Sequence, residues 1–471
     1  DGRANRRLDS AALSLHRLSL LCLLLVAAAL RFGVLSHDAR FHPDEALYAT
    51  YARRMARYGD LLLSDAPLDK PPLGLFVNAL SFSALGEGEF SARLPAAFFS
   101  LINVAVCYAL LRRLINRRAA LIGGALMALS PFDLAFSGTA FHDPLLTLCC
   151  ALCALMLSRA RPLQAGIFAA CAIATKQSAL QFLPIYALIG AVGLRRVRLR
   201  TLIALGAPIL AVSLALVAWS AARAAPVDFW TLGVLNPGAL RLIRSDEVLP
   251  RLARWLALYG ESVGFVPLLG IGAYGIWRAC TEATRPSVAA LIAACGLLGT
   301  LLGYWLVAFP LYDRYLLPLV PLTALLIAYG MATWRSRLAL AVVFALIAPF
   351  TARTLANQHG IGIQSAFYRG VDQLAAHLNA LEGAPIVYDH WLSWELRYYL
   401  GDSPRPQLVW YPSAEWLSRD VCHLPTPSYF VAPEAAAWRW LAVLNAVGAR
   451  LEPIARTPLV LYRITCEARS P

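Results

Sequence analysis

The sequence predicts a polytopic α-helical membrane protein that ends in a small α/β domain. Hydrophobic residues make up 59% of the 471-residue chain and charged residues only 15%, whereas a soluble domain has about half and about a quarter. The apolar residues fall in repeated runs of roughly 18 to 22, and a run of that length crosses a bilayer as a helix. This composition excludes an ordinary soluble enzyme, a disordered chain and a small disulfide-stapled scaffold.

The apolar runs predict about eleven transmembrane helices. The first run shows no cleavage-site pattern, so we expect a membrane anchor there rather than a signal peptide. We find no internal repeat and no charge cluster in the middle of a span. The predicted spans lie at 17–35, 92–111, 118–137, 143–158, 163–175, 177–194, 201–222, 255–277, 287–308, 314–333 and 336–353.

The net charge of +14 is best explained by membrane topology. Such a charge would suggest nucleic acid in a soluble protein, but here arginines concentrate in short segments between alternate apolar runs, where they orient a membrane protein. We therefore expect a multi-pass protein with a cytoplasmic N-terminus and no nucleic-acid partner. The segments expected on the outer face are 36–91, 138–142, 175–178, 223–254, 309–313 and everything after 354.

Two domains follow from these patterns. Residues 1–354 form the predicted membrane domain, with a first outer loop at 36–91 and a second at 223–254. An amphipathic stretch at 44–58 is suited to lie along the membrane surface. Residues 355–471 form the predicted α/β domain outside the membrane, where Cys422 and Cys466 would pair if the compartment is oxidising. Its expected helices are 371–382 and 434–447, and its expected strands are 385–388, 407–410, 428–431 and 459–462.

Polar motifs cluster in the first outer loop. Asp44 and Glu45 follow Pro43, which is typical of a helix start whose dipole favours carboxylates. Lys70, one of only two lysines in the chain, precedes two prolines, and an ammonium group held there suits a phosphate. Each motif has a simpler explanation, a plain helix start for the acids and an interfacial lysine for Lys70.

Further polar residues lie at the same predicted face. Asp143 opens the fourth span after His142, and a carboxylate at a membrane boundary needs water or a partner, although Asp is also a common N-cap. No candidate lies in the middle of a span, so the layout predicts chemistry at the membrane interface on a substrate with a phosphate and a lipid tail. The remaining candidates at this face are Arg93, Lys176, Arg314 and Tyr315.

Taken together, these motifs resemble the GT-C membrane glycosyltransferases, in particular glycosyltransferase family 39. That family includes protein O-mannosyltransferases and lipid A aminoarabinose transferases. The resemblance covers about 15–350, and the chain has no insertion large enough for the β-trefoil domains of eukaryotic-type relatives. The motifs that carry it are Asp44-Glu45, Lys70-Pro71-Pro72, Ala92-Arg93-Leu94-Pro95, Asp143 and Arg314-Tyr315-Leu316-Leu317-Pro318.

The resemblance implies an inverting sugar transfer from a polyprenyl-phosphate donor. The acceptor would be a hydroxyl or phosphate of a glycolipid, glycan or protein, on the outer face of a bacterial inner (cytoplasmic) membrane among the membrane lipids. Asp44 would be the general base with Glu45 as the alternative, Asp143 a second acid that orients sugar or acceptor, and Lys70 the ligand of the donor phosphate. Further expected donor contacts are Arg93, Lys176, Arg314, Tyr315, Tyr48 and His142.

We expect no obligatory metal, because a cationic side chain can stabilise a lipid monophosphate leaving group. A metal site at the paired acids remains an alternative, since His42 and His142 lie nearby in the predicted loop arrangement. A transporter or flippase of lipid-linked sugars is the alternative function, although such proteins usually show repeats. A membrane sensor whose outer domain binds a partner is a third possibility. Aromatic residues of the tail fit either glycan contact or a small core.

Overall fold

A computed structural model describes the chain except for residues 1, 195, 236–240, 263–266, 335, 359–367, 403–404, 424–426 and 467–471. The side chains of 2–16, 261–262 and 267 also lie outside this description. The helices of the first 358 residues are α1 Gly2–Leu35, α2 Pro43–Tyr58, α3 Leu73–Leu85, α4 Glu89–Leu114, α5 Arg117–Leu129, α6 Pro131–Ser137, α7 Asp143–Ser158, α8 Pro162–Thr175, α9 Ala179–Ala191, α10 Leu199–Arg223, α11 Phe229–Leu235, α12 Val248–Ser262, α13 Pro267–Thr281, α14 Arg285–Leu306, α15 Val320–Met331 and α16 Arg337–Leu355.

The chain is a multi-pass helical membrane protein, as predicted. Among the described residues, six helices are long and apolar enough to cross a membrane, or seven if α5 and α6, which meet at 54°, form one broken span. Helices α7, α8 and α9 match predicted spans, but with 16, 14 and 13 residues they are shorter than a helix that crosses a whole bilayer. The predicted span at 255–277 is instead divided between α12 and α13, with 263–266 outside the description. The count of eleven spans stays a prediction.

Small residues let the central helices approach closely. A Cβ added at Gly190 of α9 would lie 2.5 Å from the Ala154 carbonyl oxygen of α7, and one at Gly166 of α8 would lie 2.3 Å from the Leu205 oxygen of α10. Such contacts are typical of membrane helix packing. They bring the starts of α7 and α9 and the end of α8 to one face of the bundle.

A buried ion pair near the ends of two predicted spans was not predicted. Arg31 of α1 is fully buried and forms an ion pair with Asp133 of α6. The guanidinium also donates to Ser100 Oγ at 2.7 Å and to the Met127 and Ala128 carbonyl oxygens at 3.1 and 3.2 Å. The bend between α5 and α6 leaves these two carbonyl groups free to accept, so Arg31 connects α1 to α4 and to the bend.

The first outer loop folds into α2 and α3. Helix α2 matches the predicted amphipathic stretch, and His42 caps it because its Nδ1 accepts from the Asp44 amide at 3.2 Å. Helix α2 packs between α3 and the tail helix Ser393–Tyr399, so protein covers its apolar face. Its position along the membrane surface stays a prediction. Helix α3 was not predicted, because its continuous apolar run lacks the length of a span.

The tail contains a five-stranded sheet in the order β2-β1-β3-β5-β4. Strand β1 pairs parallel with β2 and β3, while β5 pairs antiparallel with β3 and β4. Four strands match the prediction; β4 was missed because Pro453 interrupts its pattern. The elements are β1 Ile386–Asp389, β2 Gln407–Trp410, β3 Ser428–Pro433, β4 Ala449–Arg456 and β5 Leu459–Cys466, with α17 Val371–Ala380, α18 Ser393–Tyr399, α19 Ala414–Asp420 and α20 Trp438–Ala446.

The predicted disulfide between Cys422 and Cys466 is confirmed, with the two Cα atoms 5.7 Å apart. It joins the segment after α19 to the end of β5. The bond therefore closes the sheet against a helix of the same domain.

Helix α18 attaches the tail to the first outer loop. The Tyr399 hydroxyl accepts from the Phe41 amide at 2.9 Å and donates to Glu89 Oε1 at 2.8 Å. Arg53 of α2 donates to the Tyr398 carbonyl oxygen at 3.0 Å, and its guanidinium lies 4.2 Å from the centre of that tyrosine ring. The tail therefore packs against α2 and the segment before its acidic motif and stabilises their position.

Candidate active site

Four charged side chains form an accessible rim at one end of the bundle: Asp44, Asp69, Lys70 and Arg314. Arg314 forms an ion pair with Asp44, and Lys70 forms one with Asp69. The Asp44 side chain is 29% exposed and the Lys70 side chain 15% exposed, so a ligand can reach both. Arg314 also lies over the Phe141 ring, at 5.2 Å from its centre. The rim therefore pairs each cation with a resident carboxylate.

The ion pair with Arg314 keeps Asp44 ionised. Burial raises the pKa of Asp44, but the positive charges of Arg314, then His42 and Lys70, lower it, so that the pKa lies below its ordinary value. The carboxylate form is consequently the one present at neutral pH, which is the form a general base requires.

Glu45 and Arg93 form a closed floor beneath the rim. Both side chains are almost completely buried, and Arg93 donates through Nε and Nη2 to the two Glu45 oxygens at 2.9 and 3.0 Å. Glu45 also accepts from the amides of Ala140 at 2.8 Å and His42 at 3.0 Å. Both carboxylate oxygens are therefore occupied, an arrangement typical of a positioning element.

Asp143 and Lys176 form a second buried pair. Lys176 Nζ donates to Asp143 Oδ1 at 2.6 Å, and both side chains are at most 6% exposed. The ammonium also lies 5.0 Å from the centre of the Tyr315 ring. Burial, followed by the charges of Arg314 and Lys70, lowers the pKa of Lys176 below its ordinary value, although Asp143 opposes this.

His142 lies between the floor and α3, stacked on Tyr48 with ring centres 4.2 Å apart. Burial lowers the pKa of His142 to about 3, so the ring is neutral at pH 7. Gly74 makes room for it, because an added Cβ would lie 2.5 Å from the ring. Both ring nitrogens and Asn78 Nδ2 lack hydrogen-bond partners in the described structure, and they line a cavity of about 10 Å³, enough for one water molecule.

The structure thus brings every candidate residue of the sequence analysis to one end of the bundle, but in different environments. Glu45 and Arg93 are enclosed by each other and by backbone groups. The rim and the buried Asp143–Lys176 pair are close enough for their charges to interact. The Tyr315 ring contacts both parts, because the Arg314 guanidinium lies 5.7 Å and the Lys176 ammonium 5.0 Å from its centre.

Two residues that hold the loop were missed. Arg223, at the end of α10, donates to the carbonyl oxygens of Leu62, Leu63 and Ala66 at 2.8, 3.0 and 2.7 Å. Gln177 donates to the Asp69 carbonyl oxygen at 2.9 Å. An arginine at the end of a span on the predicted outer face is an exception to the topology rule, and this exception was the available signal for Arg223.

Glu395 of α18 was also missed. It is fully buried, and neither carboxylate oxygen has a hydrogen-bond partner among the described residues. Burial, then the negative charges of Asp389 and Asp44, raise its pKa to about 8. The tail therefore contributes a protonated carboxyl close enough to the rim to sense Asp44.

No three His, Cys, Asp or Glu side chains come together as a metal site within the described part of the chain. Metal independence stays a prediction, because this observation does not test the reaction.

A family model described as dolichyl-phosphate-mannose-protein mannosyltransferase matches residues 69–220, which include Lys70, Asp143 and Lys176. The undecaprenyl phosphate-alpha-4-amino-4-deoxy-L-arabinose arabinosyl transferase of Edwardsiella ictaluri is 30% identical over 113 residues. That similarity spans 23% of this chain and only 20% of the length of the relative.

The fold is similar to that of solved structures over nearly the whole chain. ArnT from Cupriavidus metallidurans in the apo state superimposes with a TM-score of 0.67 at 18% identity, covering 94% of this chain and 97% of ArnT. The same protein bound to undecaprenyl phosphate gives 0.65 at 16% identity, with the same coverage of both chains. An Archaeoglobus fulgidus oligosaccharyltransferase gives 0.59 at 14% identity, covering 93% of this chain and 72% of that one. The chain therefore shares the fold of these solved structures over nearly its whole length, and its residues 69–220 match the mannosyltransferase family model.

Proposed function

We propose that this protein is an inverting glycosyltransferase that moves a sugar from a polyprenyl-phosphate donor to a hydroxyl or phosphate acceptor. The observation that carries the proposal is the accessible rim, in which Arg314 pairs with Asp44 and Lys70 pairs with Asp69. Asp44 is also the candidate base. The support from relatives is that their names specify lipid-phosphate-linked sugars, and one solved relative was bound to undecaprenyl phosphate.

The donor phosphate replaces resident carboxylates at the rim. Lys70 and Arg314 are already paired with Asp69 and Asp44, so their side chains are ordered before a donor arrives. A phosphate that takes over Arg314 releases Asp44 from its ion pair. Loss of this positive partner raises the basicity of Asp44, so donor binding and base activation are coupled.

The chemical step needs one proton transfer. Asp44 takes the proton of the acceptor hydroxyl as its oxygen bonds to the anomeric carbon, and the bond from that carbon to the phosphate oxygen breaks. The electron pair leaves with the lipid phosphate, whose added negative charge Lys70 and Arg314 stabilise. Attack on the face opposite the phosphate inverts the anomeric carbon.

The remaining residues position these groups. Glu45 and Arg93 hold the start of α2 and therefore the direction of the Asp44 side chain. Asp143 and Lys176 orient the sugar or acceptor beneath the rim, and Tyr48, Tyr315 and His142 shape the surface that receives it. Neither Glu45 nor Arg93 contacts substrate in this proposal.

The reaction takes place on the outer face of a bacterial inner membrane, with residues 1–354 as the catalytic domain and 355–471 as the outer domain. The disulfide between Cys422 and Cys466 supports this side, because disulfides persist in oxidising compartments. The N-terminus is then cytoplasmic, and the acceptor is a glycolipid, glycan or protein of the envelope.

Donor turnover tests the proposal. Purified protein is incubated with a panel of polyprenyl-phosphate sugars and native membrane extract, with and without EDTA, and sugar transfer and donor binding are measured in the same samples. We expect one donor to be used, with transfer unchanged by EDTA. Asp44→Asn is expected to lose about 10²- to 10⁴-fold in rate and to retain donor binding.

Asp65→Asn is the matched control, since Asp65 is an exposed carboxylate of the same loop that pairs with Arg54 outside the site. It is expected to retain full activity. Equal losses in both variants would contradict the role of Asp44. Donor binding without transfer by wild type in complete extract would favour a transporter, and neither binding nor transfer of any lipid-linked sugar would overturn the proposal.

A further inference from the structure

A second concentration of charge lies at the end of the bundle opposite the candidate active site. Helix α4 carries Arg93 near its first turn and Arg113 near its last, and 20 residues of helix separate them by about 30 Å. Helix α7 likewise begins at Asp143 and is followed by Arg159. These arginines therefore belong to a different surface from the rim.

The two ends of the bundle differ in whether their cationic side chains have acidic partners. At the rim, the cations are paired with carboxylates. At the opposite end, the described structure shows Glu282 paired with Arg278, whereas it shows no ion pair for the exposed arginines of the helix ends there. Those arginines are Arg112, Arg113, Arg159, Arg196, Arg198 and Arg285.

The unpaired arginines line two adjoining cavities rather than a flat surface. The first cavity, of about 470 Å³, is lined by Arg112, Arg113 and Arg159 together with Leu20 and Tyr108. The second, of about 600 Å³, is lined by Arg113 together with Arg196, Arg198 and Arg285. Because Arg113 borders both, the two cavities can receive two linked anionic groups. We call them the arginine grooves.

The first groove opens onto a surface built for acyl chains. Leu20 belongs to α1, whose neighbouring side chains Leu18, Leu21 and Leu25 are 55%, 53% and 60% exposed. Helix α1 from Arg17 onward has the length and hydropathy of a membrane span, so these leucines face lipid. A ligand in the groove can thus place a phosphate on the arginines and its chains along α1.

We propose that the arginine grooves bind the headgroup of an anionic phospholipid, with a diphosphate lipid of the cardiolipin type as the preferred occupant. Guanidinium groups bind phosphate through paired hydrogen bonds, and basic pockets between membrane helices suit such headgroups. Arg113 Nε already donates to the Ser158 carbonyl oxygen at 3.2 Å, which fixes its position and leaves its two terminal nitrogens for phosphate.

Native mass spectrometry of the detergent-solubilised full chain tests this binding. The probes are cardiolipin, phosphatidylglycerol, phosphatidylethanolamine and inorganic phosphate, each added to the purified protein. Wild type is expected to bind cardiolipin most tightly, phosphatidylglycerol next and phosphatidylethanolamine least. Millimolar inorganic phosphate is expected to leave cardiolipin bound, because the groove and α1 also hold its chains.

The variant Arg113→Gln/Arg159→Gln removes two groove arginines and is expected to weaken cardiolipin binding by about tenfold or more. The matched control, Arg200→Gln/Arg337→Gln, removes the same charge from exposed arginines at the same end of the bundle that do not line the grooves, and it is expected to change binding less than twofold. Arg159→Gln alone serves if the double variant does not fold.

Three results would overturn the proposal. Equal weakening by the groove and control variants would mean diffuse attraction to the whole face. Equal occupancy by phosphatidylethanolamine would mean that headgroup charge is not recognised. Displacement by inorganic phosphate would mean a site for a free anion instead of a lipid.

Discussion

The rim and the floor begin at adjacent residues, yet they place two carboxylates in opposite situations. Asp44 is 29% exposed and has one arginine partner, while Glu45 is fully buried and accepts four hydrogen bonds. Both acids are at the start of α2, and one residue of helix turns the side chain by about 100°. The surroundings of each acid, and therefore the role that it can have, depend on the side of α2 from which its side chain projects.

A carboxylate that holds structure and one that performs chemistry differ in how many partners they can release. Asp44 can release Arg314 to a phosphate, because a single ion pair holds it. Glu45 cannot release Arg93 without leaving both buried charges unpaired. Adjacent acids therefore need not share a function.

The largest effect is expected for Glu45→Gln. Removing one member of a buried ion pair leaves Arg93 without a counter-charge, which costs about 3–5 kcal/mol of unfolding free energy. The measurement is the apparent melting temperature of the protein in detergent, compared with Asp44→Asn, which should stay close to wild type because its pair is partly exposed. Equal melting temperatures for wild type and Glu45→Gln would contradict the assignment of a structural floor.

Glu395→Gln extends the comparison to a buried carboxyl without a partner. The pKa of Glu395 is raised to about 8 in the folded protein, against about 4.3 in an unfolded chain. The folded state therefore binds more protons between these values, so stability is greatest below the lower pKa and is lost as pH rises towards 8.

The amide of Glu395→Gln does not titrate, so the melting temperature of the variant should fall less with rising pH than that of wild type. We expect little difference from wild type at pH 5 and a gain of about 2–4 kcal/mol at pH 8, measured as apparent melting temperature across that range. Glu382→Gln, in the same domain, is the control. A parallel pH dependence in wild type and Glu395→Gln would show that Glu395 is already ionised.

Arg314→Gln sharpens the comparison at the rim. Arg314 is the largest of the influences that lower the pKa of Asp44, so its removal should raise that pKa. The acidic limb of the pH profile of kcat/KM, which reports the free enzyme, should move to higher pH in the variant. Asp44 loses activity as a base only when protonated, so an unmoved limb would remove Asp44 from that role.

The smallest effect on the candidate active site is expected from Cys422→Ser/Cys466→Ser. The disulfide closes a loop of 44 residues within the tail, and its loss should cost about 2–4 kcal/mol of tail stability while the membrane helices and the rim keep their contacts. Proteolysis of the tail should therefore become faster with little change in donor binding. Loss of donor binding would show that the tail holds the rim more directly than α18 suggests.

Local signals made much of the fold and site predictable. Long apolar runs identify spans by composition, and acids, prolines and lysines at helix starts mark the site, because both depend on neighbouring residues. Glu45 and Arg93 are 48 residues apart, so no local pattern indicates that they neutralise each other. The contact of Tyr399 with Phe41 across 358 residues and the burial of Arg31 against Asp133 are equally matters of tertiary packing.

The two lysines of this chain provide a chemical handle on the site. All other basic side chains except the histidines are arginines, and Lys70 and Lys176 both lie at the end of the bundle that carries the rim. Lys176 is enclosed, whereas Lys70 is partly open. An amine-reactive reagent should therefore modify Lys70 and the α-amino group first, and slower modification at Lys70 would report ligand occupancy without any engineered label.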